Sequence, residues 1–300
     1  MLNSSPSASK PRRINIPFIL DVVIVTDPDQ IKTIETSGNV DRLHAYDTTS
    51  LPWWLRFYLR ASRFHDDRRD LWFCALESKS NPTYQPRINY LKEQVAKGYS
   101  ADDVKKIAQL LRNNDKDEVI AYEMVQIVNR RFFGKEIPSH ITQAAKDTLQ
   151  EISEAVQPQK YLLARKSHQE VMDYCEQNLP KDVHPIDAGH HNIGEIVKTT
   201  TRALQILKNN LDRPVEDIFT ANPLTLQAPR IATQASTFEG LLSSPAKPGK
   251  TVFILKIGEA AIKTQDILFT FGTGSEDRIC VFKDFFLEFM TDLQQELKRG

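Results

Sequence analysis

Cys280 occupies the point of the chain best suited to chemistry. It ends the stretch Phe271-Gly272-Thr273-Gly274-Ser275-Glu276-Asp277-Arg278-Ile279-Cys280. It stands just before an amphipathic segment, Val281 to Leu297, in which Phe282, Phe285, Phe286, Phe289, Met290 and Leu293 form an apolar face. Closely spaced glycines let a loop turn tightly and approach a flat ligand. Amides at a helix N-terminus stabilise negative charge and lower a thiol pKa, so a thiolate is favoured at this position. A thiolate held there can ligate haem iron, and Arg278 can pair with a carboxylate such as a haem propionate. The competing reading of a lone cysteine is a small apolar residue in the core.

Other constellations carry less. Cys175, His184, His190 and His191 share one stretch but lack the close paired spacing of a zinc site. His65, Asp66 and Asp67 beside Arg68 and Arg69 read as a metal or acid–base cluster, or more simply as an exposed charged helix face. Trp53, Trp54, Phe57 and Tyr58 alternate with Arg56 and Arg60. Because charge is interleaved with the rings rather than segregated, a core or channel wall is favoured over a membrane-surface helix. Neither a phosphate-cradling loop nor a serine nucleophile elbow is convincing in the sequence.

The elements that must position Cys280 follow from hydrophobic period and caps. Val22-Val23-Ile24-Val25 reads as a buried strand. Thr26 or Asp27 can cap a helix that begins at Pro28 and ends near Gly38. Leu51 to Arg63 is aromatic and apolar within a largely helical middle. Ser100 caps a helix with Val104, Ile107, Leu110 and Leu111 on one face. Val119, Met124, Ile127 and Val128 predict a second stripe before Gly134. Ser139 opens a third, with Ile141, Ala144, Ala145 and Leu149. Residues from Gly189 to Asn209 predict a long helix through Ile193, Val197 and Leu204. After Pro223, extended pieces at Leu224 to Ile231 and Thr251 to Ile257 flank a turn at Pro245-Ala246-Lys247-Pro248-Gly249. The order implies a mainly helical α+β fold.

Composition bounds the function. Of 300 residues, 39 are basic and 39 acidic, so there is no electrostatic footprint for nucleic acid. Three sparse cysteines, Cys74, Cys175 and Cys280, argue against a disulfide scaffold and for a reducing compartment. The run from Ile14 to Val25 is broken by Asp21 and is too short for a membrane span. Basic residues precede it but no cleavage site follows, so a signal peptide is not expected and the reading is cytoplasmic. Residues 1–13, rich in Ser and Pro, read as a disordered lead-in to one domain over 14–300.

The stretch ending at Cys280 resembles the cysteine-ligand loop of the cytochrome P450 family, Phe-Gly-x-Gly-x-Arg-x-Cys-x-Gly. Glu276 and Asp277 are two extra residues before the arginine. The resemblance implies that Cys280 is the axial ligand of haem b iron, on a loop opened by Phe271, with Arg278 on a propionate. Further pieces occur in the family's order. Val22 to Ile34 resembles its early strand and helix. Phe64-His65-Asp66-Asp67-Arg68-Arg69 resembles its His-x-x-x-Arg signature and implies propionate contacts from His65 and Arg69. The segment from Val215 to Pro223 resembles the one holding its Glu-x-x-Arg pair, and Arg230 follows where the family has another propionate-binding arginine. Pro248-Gly249-Lys250-Thr251-Val252 resembles its proline–glycine–strand step. The fold implied is a cytochrome P450-like helical body with small β elements, partly truncated.

Several positions depart from the family. Asp217-Ile218-Phe219-Thr220 lacks the arginine of Glu-x-x-Arg, and Phe282 replaces the glycine after the cysteine. The stretch from Ile257 to Phe271 is short. Ala188-Gly189-His190-His191-Asn192 resembles the oxygen-activating Ala-Gly-x-acid-Thr, with His191 at the acid and Asn192 at the threonine. The family implies monooxygenation of an apolar substrate with electrons from a redox partner. The altered proton-delivery pair is better matched by rearrangement of an organic hydroperoxide, such as that of a fatty acid, which brings its own oxygen. The allene oxide synthase branch of the family also has an enlarged ligand loop and a Lys-Asp-Phe sequence after its cysteine, like Lys283-Asp284-Phe285 here. The other reading is a degenerate member that binds haem or a hydrophobic ligand without turnover.

Overall fold

The structure is a computed structural model that describes residues 10–16, 20–42, 65–66, 71–72, 84–153, 158–179, 193, 195–274 and 280–299. The chain divides into two compact units. One comprises Met1–Trp53 and Phe219–Cys280, the other Trp54–Ile218 and Val281–Gly300.

The first unit is built on a five-stranded sheet. Its strands are β1 (Arg12–Ile16), β2 (Leu20–Val25), β3 (Val40–Arg42), β6 (Ala228–Ala232) and β7 (Thr251–Leu255), in the order β1-β2-β7-β6-β3. β1 and β2 form an antiparallel hairpin whose register sets Arg13 opposite Val23 and Ile14 opposite Val22. β2 runs parallel to β7, and β7 antiparallel to β6. Helix α1 (Pro28–Thr36) leaves β2 directly. Asp27 caps it by accepting from the N–H groups of Asp29 and Gln30, and Pro28 takes its first turn, where no N–H is needed. Gly38, at φ +70°, supplies the left-handed turn after it.

Alternation along the strands sends Val23, Val25, Phe253, Leu255, Ala228 and Ala232 into one core with Ile31 and Ile34 of α1. Ile257, Ala260 and Ala261 join the same core from helix α9 (Ile257–Thr264). The expected extended piece therefore ends at Leu255. Its apolar run turns into a helix at Ile257, because residues at three- and four-residue spacing there face the sheet.

Asp21, expected only as a break in an apolar run, is buried and fully engaged. Arg13 donates to it from Nε at 2.8 Å and from a terminal nitrogen at 2.5 Å, and Thr251 donates from Oγ1 at 2.9 Å. This network ties the β1–β2 hairpin to β7.

The second unit is helical. It contains α2 (Tyr84–Val95), α3 (Ala101–Arg112), α4 (Asp117–Phe133), α5 (Ser139–Ser153), α6 (Pro158–Asn178), α7 (Glu195–Lys208) and α10 (Lys283–Arg299), with α8 (Val215–Ala221) crossing the division. Ser100 and Asp103 form a reciprocal capping box at α3, and Val104, Ile107, Ala108 and Leu111 are its buried face. Leu91, Val125, Val128, Ile141, Ala144, Val171, Cys175 and Phe285 share the main core. Gln126 bridges buried backbone by donating to Ile137 O at 2.8 Å and accepting from Ile137 N at 2.7 Å. Two expectations change here. Val119 is 43% exposed rather than part of the α4 stripe, which runs through Ile120, Met124 and Ile127. His65 and Asp66 form a short strand, β4, paired antiparallel with β5 (Leu71–Trp72). An extended backbone at His65 and Asp66 takes those two residues out of a helix face; Asp67, Arg68 and Arg69 lie outside the described residues.

Candidate functional site

The approach to Cys280 is built from short local devices. Asp266 accepts from Leu268 N–H at 2.9 Å and so caps a 3-10 turn over Ile267–Phe269. Thr270 Oγ1 then donates to Phe219 O at 3.2 Å, and Phe271 N–H reaches Ile267 O at 3.3 Å. Gly274 has φ +74°, and a Cβ there would fall 2.5 Å from Cζ of the Phe269 ring. A left-handed turn pressed on a buried ring leaves room only for glycine. Residues 275–279 lie outside the described residues. The chain returns at Cys280, whose N–H donates to Phe271 O at 2.7 Å and closes the loop. Cys280 is exposed, whereas Cys175 is completely buried in the helical core. The core-residue reading of a lone cysteine thus describes Cys175 and not Cys280.

The other sequence-derived site residues separate into placed and unplaced. Arg230 lies in β6, buried, with Nε 2.5 Å from Glu35 Oε1 on α1 and a terminal nitrogen donating to its own neighbour Pro229 O at 2.9 Å. The carboxylate beside it in this structure belongs to the protein. His65 is placed only as a strand residue opposite Trp72. Arg69, Arg278, His191 and Asn192 lie outside the described residues, as do Cys74 and the Trp53–Tyr58 aromatic patch. Among the described residues, no group of three or more His, Cys, Asp or Glu is arranged to hold a metal ion. No helix among them is long and apolar enough to cross a membrane.

Comparison with solved structures decides the architecture. A cytochrome P450 from Thermus thermophilus with a six-coordinated centre superposes with a TM-score of 0.59, at 12% identity, over 96% of this chain and 86% of its own. A zebra fish cytochrome P450 determined with progesterone gives a TM-score of 0.63 at 11% identity, over 96% and 88%. The cytochrome P450 of the Bacillus subtilis bacillaene polyketide synthase gives 0.60 at 13% identity, over 97% and 85%. The chain has the cytochrome P450 fold. No protein-family model and no curated protein matches its sequence.

Within the P450 fold, the residues present fit a thiolate-ligated haem at the ligand itself. Cys280 is an exposed residue outside both apolar cores, and its backbone N–H is satisfied by Phe271 O. The supports around the loop differ from the family pattern. Thr220, where that pattern has an arginine, is 3% exposed within α8. Phe282, where the pattern has a glycine, is partly buried against the helical core. Two clefts in the helical unit are lined by polar side chains. One, of about 700 Å³, has His140, Lys166, Glu170 and Asp173 on its walls, and the other has Asp117, Glu118 and Lys146; neither includes Cys280. Sequence reasoning missed the role of the 266–269 turn. Its signal was Asp266 as a cap, two residues before Leu268.

Proposed function

We propose that this protein is a haem-thiolate protein in which Cys280 would hold the haem iron, and that it oxidises or rearranges an apolar small molecule. The observation that supports this most is the placement of Cys280, an exposed residue whose backbone is held by its N–H to Phe271 O, at the end of a glycine loop on a cytochrome P450 fold. When bound, a haem with a thiolate ligand supplies oxygen-transfer and peroxide chemistry, pushed by electron density from the sulfur. The chain's own part is to hold that sulfur and to neutralise the propionates. Buried carboxylates need paired, hydrogen-bonded cations. His65, Arg69 and Arg278 are the candidates that the family pattern offers. Arg230 is a fourth, but a propionate there competes with Glu35 for the same guanidinium.

By the sequence resemblance, His191 and Asn192 align with the acid and threonine of the family's proton-delivery pair, and neither reproduces it. A hydroperoxide substrate needs no such delivery, so we favour fatty-acid hydroperoxide chemistry over reductase-driven hydroxylation. The experiment is to load the full chain with haem and record the carbon monoxide difference spectrum. A polyunsaturated fatty-acid hydroperoxide is then added without reductant while its conjugated diene is followed. Loss of the diene supports the reading. Hydroxylation of apolar compounds only with a reductase system reverses the ranking.

A second reading, haem or ligand binding without turnover, is favoured by one observation. Thr220 is buried in α8 at the place where the family pattern sets the arginine of its supporting ion pair. Full haem occupancy with silence in both assays supports that reading.

A further inference from the structure

Helix α1 reaches the start of the Cys280 loop through a charged side chain, Lys32, beside the apolar packing of Ile31, Ile34 and Phe269 in one core. We infer that Lys32 is a positioning residue for the Cys280 thiol. Its Nζ lies 5.2 Å from the centre of the Phe269 ring and 3.5 Å from Asp266 Oδ2. Both partners belong to the 3-10 turn that precedes the loop: Phe269 is completely buried, and Asp266 is the cap.

The same ring receives Gly274. A Cβ at Gly274 would meet Cζ and Cε1 of Phe269 at 2.5 and 2.6 Å and Cε of Lys32 at 2.9 Å. The Lys32 stem, the Phe269 ring and the Gly274 backbone therefore meet at one point. The hydrogen bond from Gly274 N–H to Leu268 O is long, at 3.5 Å, so packing rather than that bond keeps the turn closed.

From this turn the constraint runs to the backbone of Cys280, which carries the thiol, by two backbone bonds. Phe271 N–H is held on Ile267 O at 3.3 Å, and Cys280 N–H on Phe271 O at 2.7 Å. Loosening the turn at Phe269 moves the acceptor that fixes Cys280. A plain solubilising role is the alternative for a lysine whose side chain is 42% exposed. An exposed ion pair alone contributes little. A cation over a fully buried ring that also carries the loop's glycine is a different situation, since the ammonium and its stem close one side of that contact.

The consequence for iron ligation rests on the haem-thiolate reading; the effect on the loop does not. The full chain is compared with Lys32→Met, which keeps the stem and removes the charge, and Lys32→Arg, which keeps the charge and can stack on the ring. In haem-free protein, amide hydrogen exchange at Cys280 should quicken by about threefold in Lys32→Met, while strands β2 and β7 exchange as before. In haem-loaded protein, the thiolate-type share of the carbon monoxide difference spectrum should fall in Lys32→Met. Lys32→Arg should restore both readouts. Unchanged exchange at Cys280 in Lys32→Met overturns the inference, as does a uniform rise across the whole sheet unit. If wild-type protein takes up no haem, the haem-thiolate reading fails and the exchange measurement alone decides the role of Lys32.

Discussion

Arg230 Nε lies 2.5 Å from Glu35 Oε1, and the two side chains are 9% and 0% exposed. This ion pair joins the inner strand β6 to helix α1, and Arg230 stands in register with Phe253 of β7. Two charges removed from water are tolerable only while each has the other.

Removing one partner should therefore cost more than removing both. Arg230→Met or Glu35→Leu is expected to lower unfolding stability by about 3–5 kcal/mol, because each strands a buried charge. Arg230→Met combined with Glu35→Leu is expected to recover much of that loss. Urea unfolding of the two single variants and the double variant measures it through the coupling term. Strict additivity would show that the pair does not act as a unit.

Asp21 gives the sheet unit a pH dependence of known sign. Burial pushes its carboxyl pKa up, but hydrogen bonds from Arg13 and Thr251 and the Arg13 charge outweigh that, and the net shift is downward. A carboxyl depressed in the folded state stabilises the fold above its unfolded value, and that stability is lost as pH falls through the lower folded value. Wild-type stability should thus decline below about pH 4. Asp21→Asn should be less stable near neutral pH and should show a flatter acid limb. Thermal unfolding of both proteins across the acid range checks this; parallel curves would remove Asp21 from the explanation.

Much of this architecture was legible because local signals agreed with one another. Val22 to Val25, Asp27 and Pro28 specify a strand, a cap and a first turn, and β2 and α1 follow them. Ser100 and Asp103 announce α3 in the same way. Helix α9 was hidden because Ile257 continues the apolar run of β7 and Lys256 provides no side-chain cap. Helix α6 was hidden for a related reason: Lys, Gln and Glu interrupt its apolar positions, and one of its deeply buried residues, His168, is polar beside Val171, Met172 and Cys175. His65 and Asp66 carry no β-forming residue type, so only their pairing with Trp72 and Leu71 makes them a strand.

At the candidate site, the glycine loop and Cys280 could be read locally, since turn chemistry and a following helix are neighbours in sequence. The partners of Arg230 and Phe269 could not. Glu35 and Lys32 come from a helix near the start of the chain, and only the sheet's parallel pairing of β2 with β7 brings α1 to them.

Gly274 tests whether that loop tolerates change. Gly274→Ala places a methyl group against a fully buried ring in a left-handed backbone conformation. The expected cost is about 1–3 kcal/mol in stability, together with reduced haem uptake. Chemical unfolding and the haem-to-protein absorbance ratio measure the two effects. Full stability and full uptake would show that the Phe269–Gly274 contact is slack.

The most direct measurement is the carbon monoxide difference spectrum of the reduced, haem-loaded full chain, recorded for wild type and for Cys280→Ser, Cys175→Ser and Cys74→Ser. A thiolate-type band is expected in wild type, Cys175→Ser and Cys74→Ser, and should be lost in Cys280→Ser alone. An unchanged thiolate-type band in Cys280→Ser would contradict the assignment of Cys280 as the iron ligand.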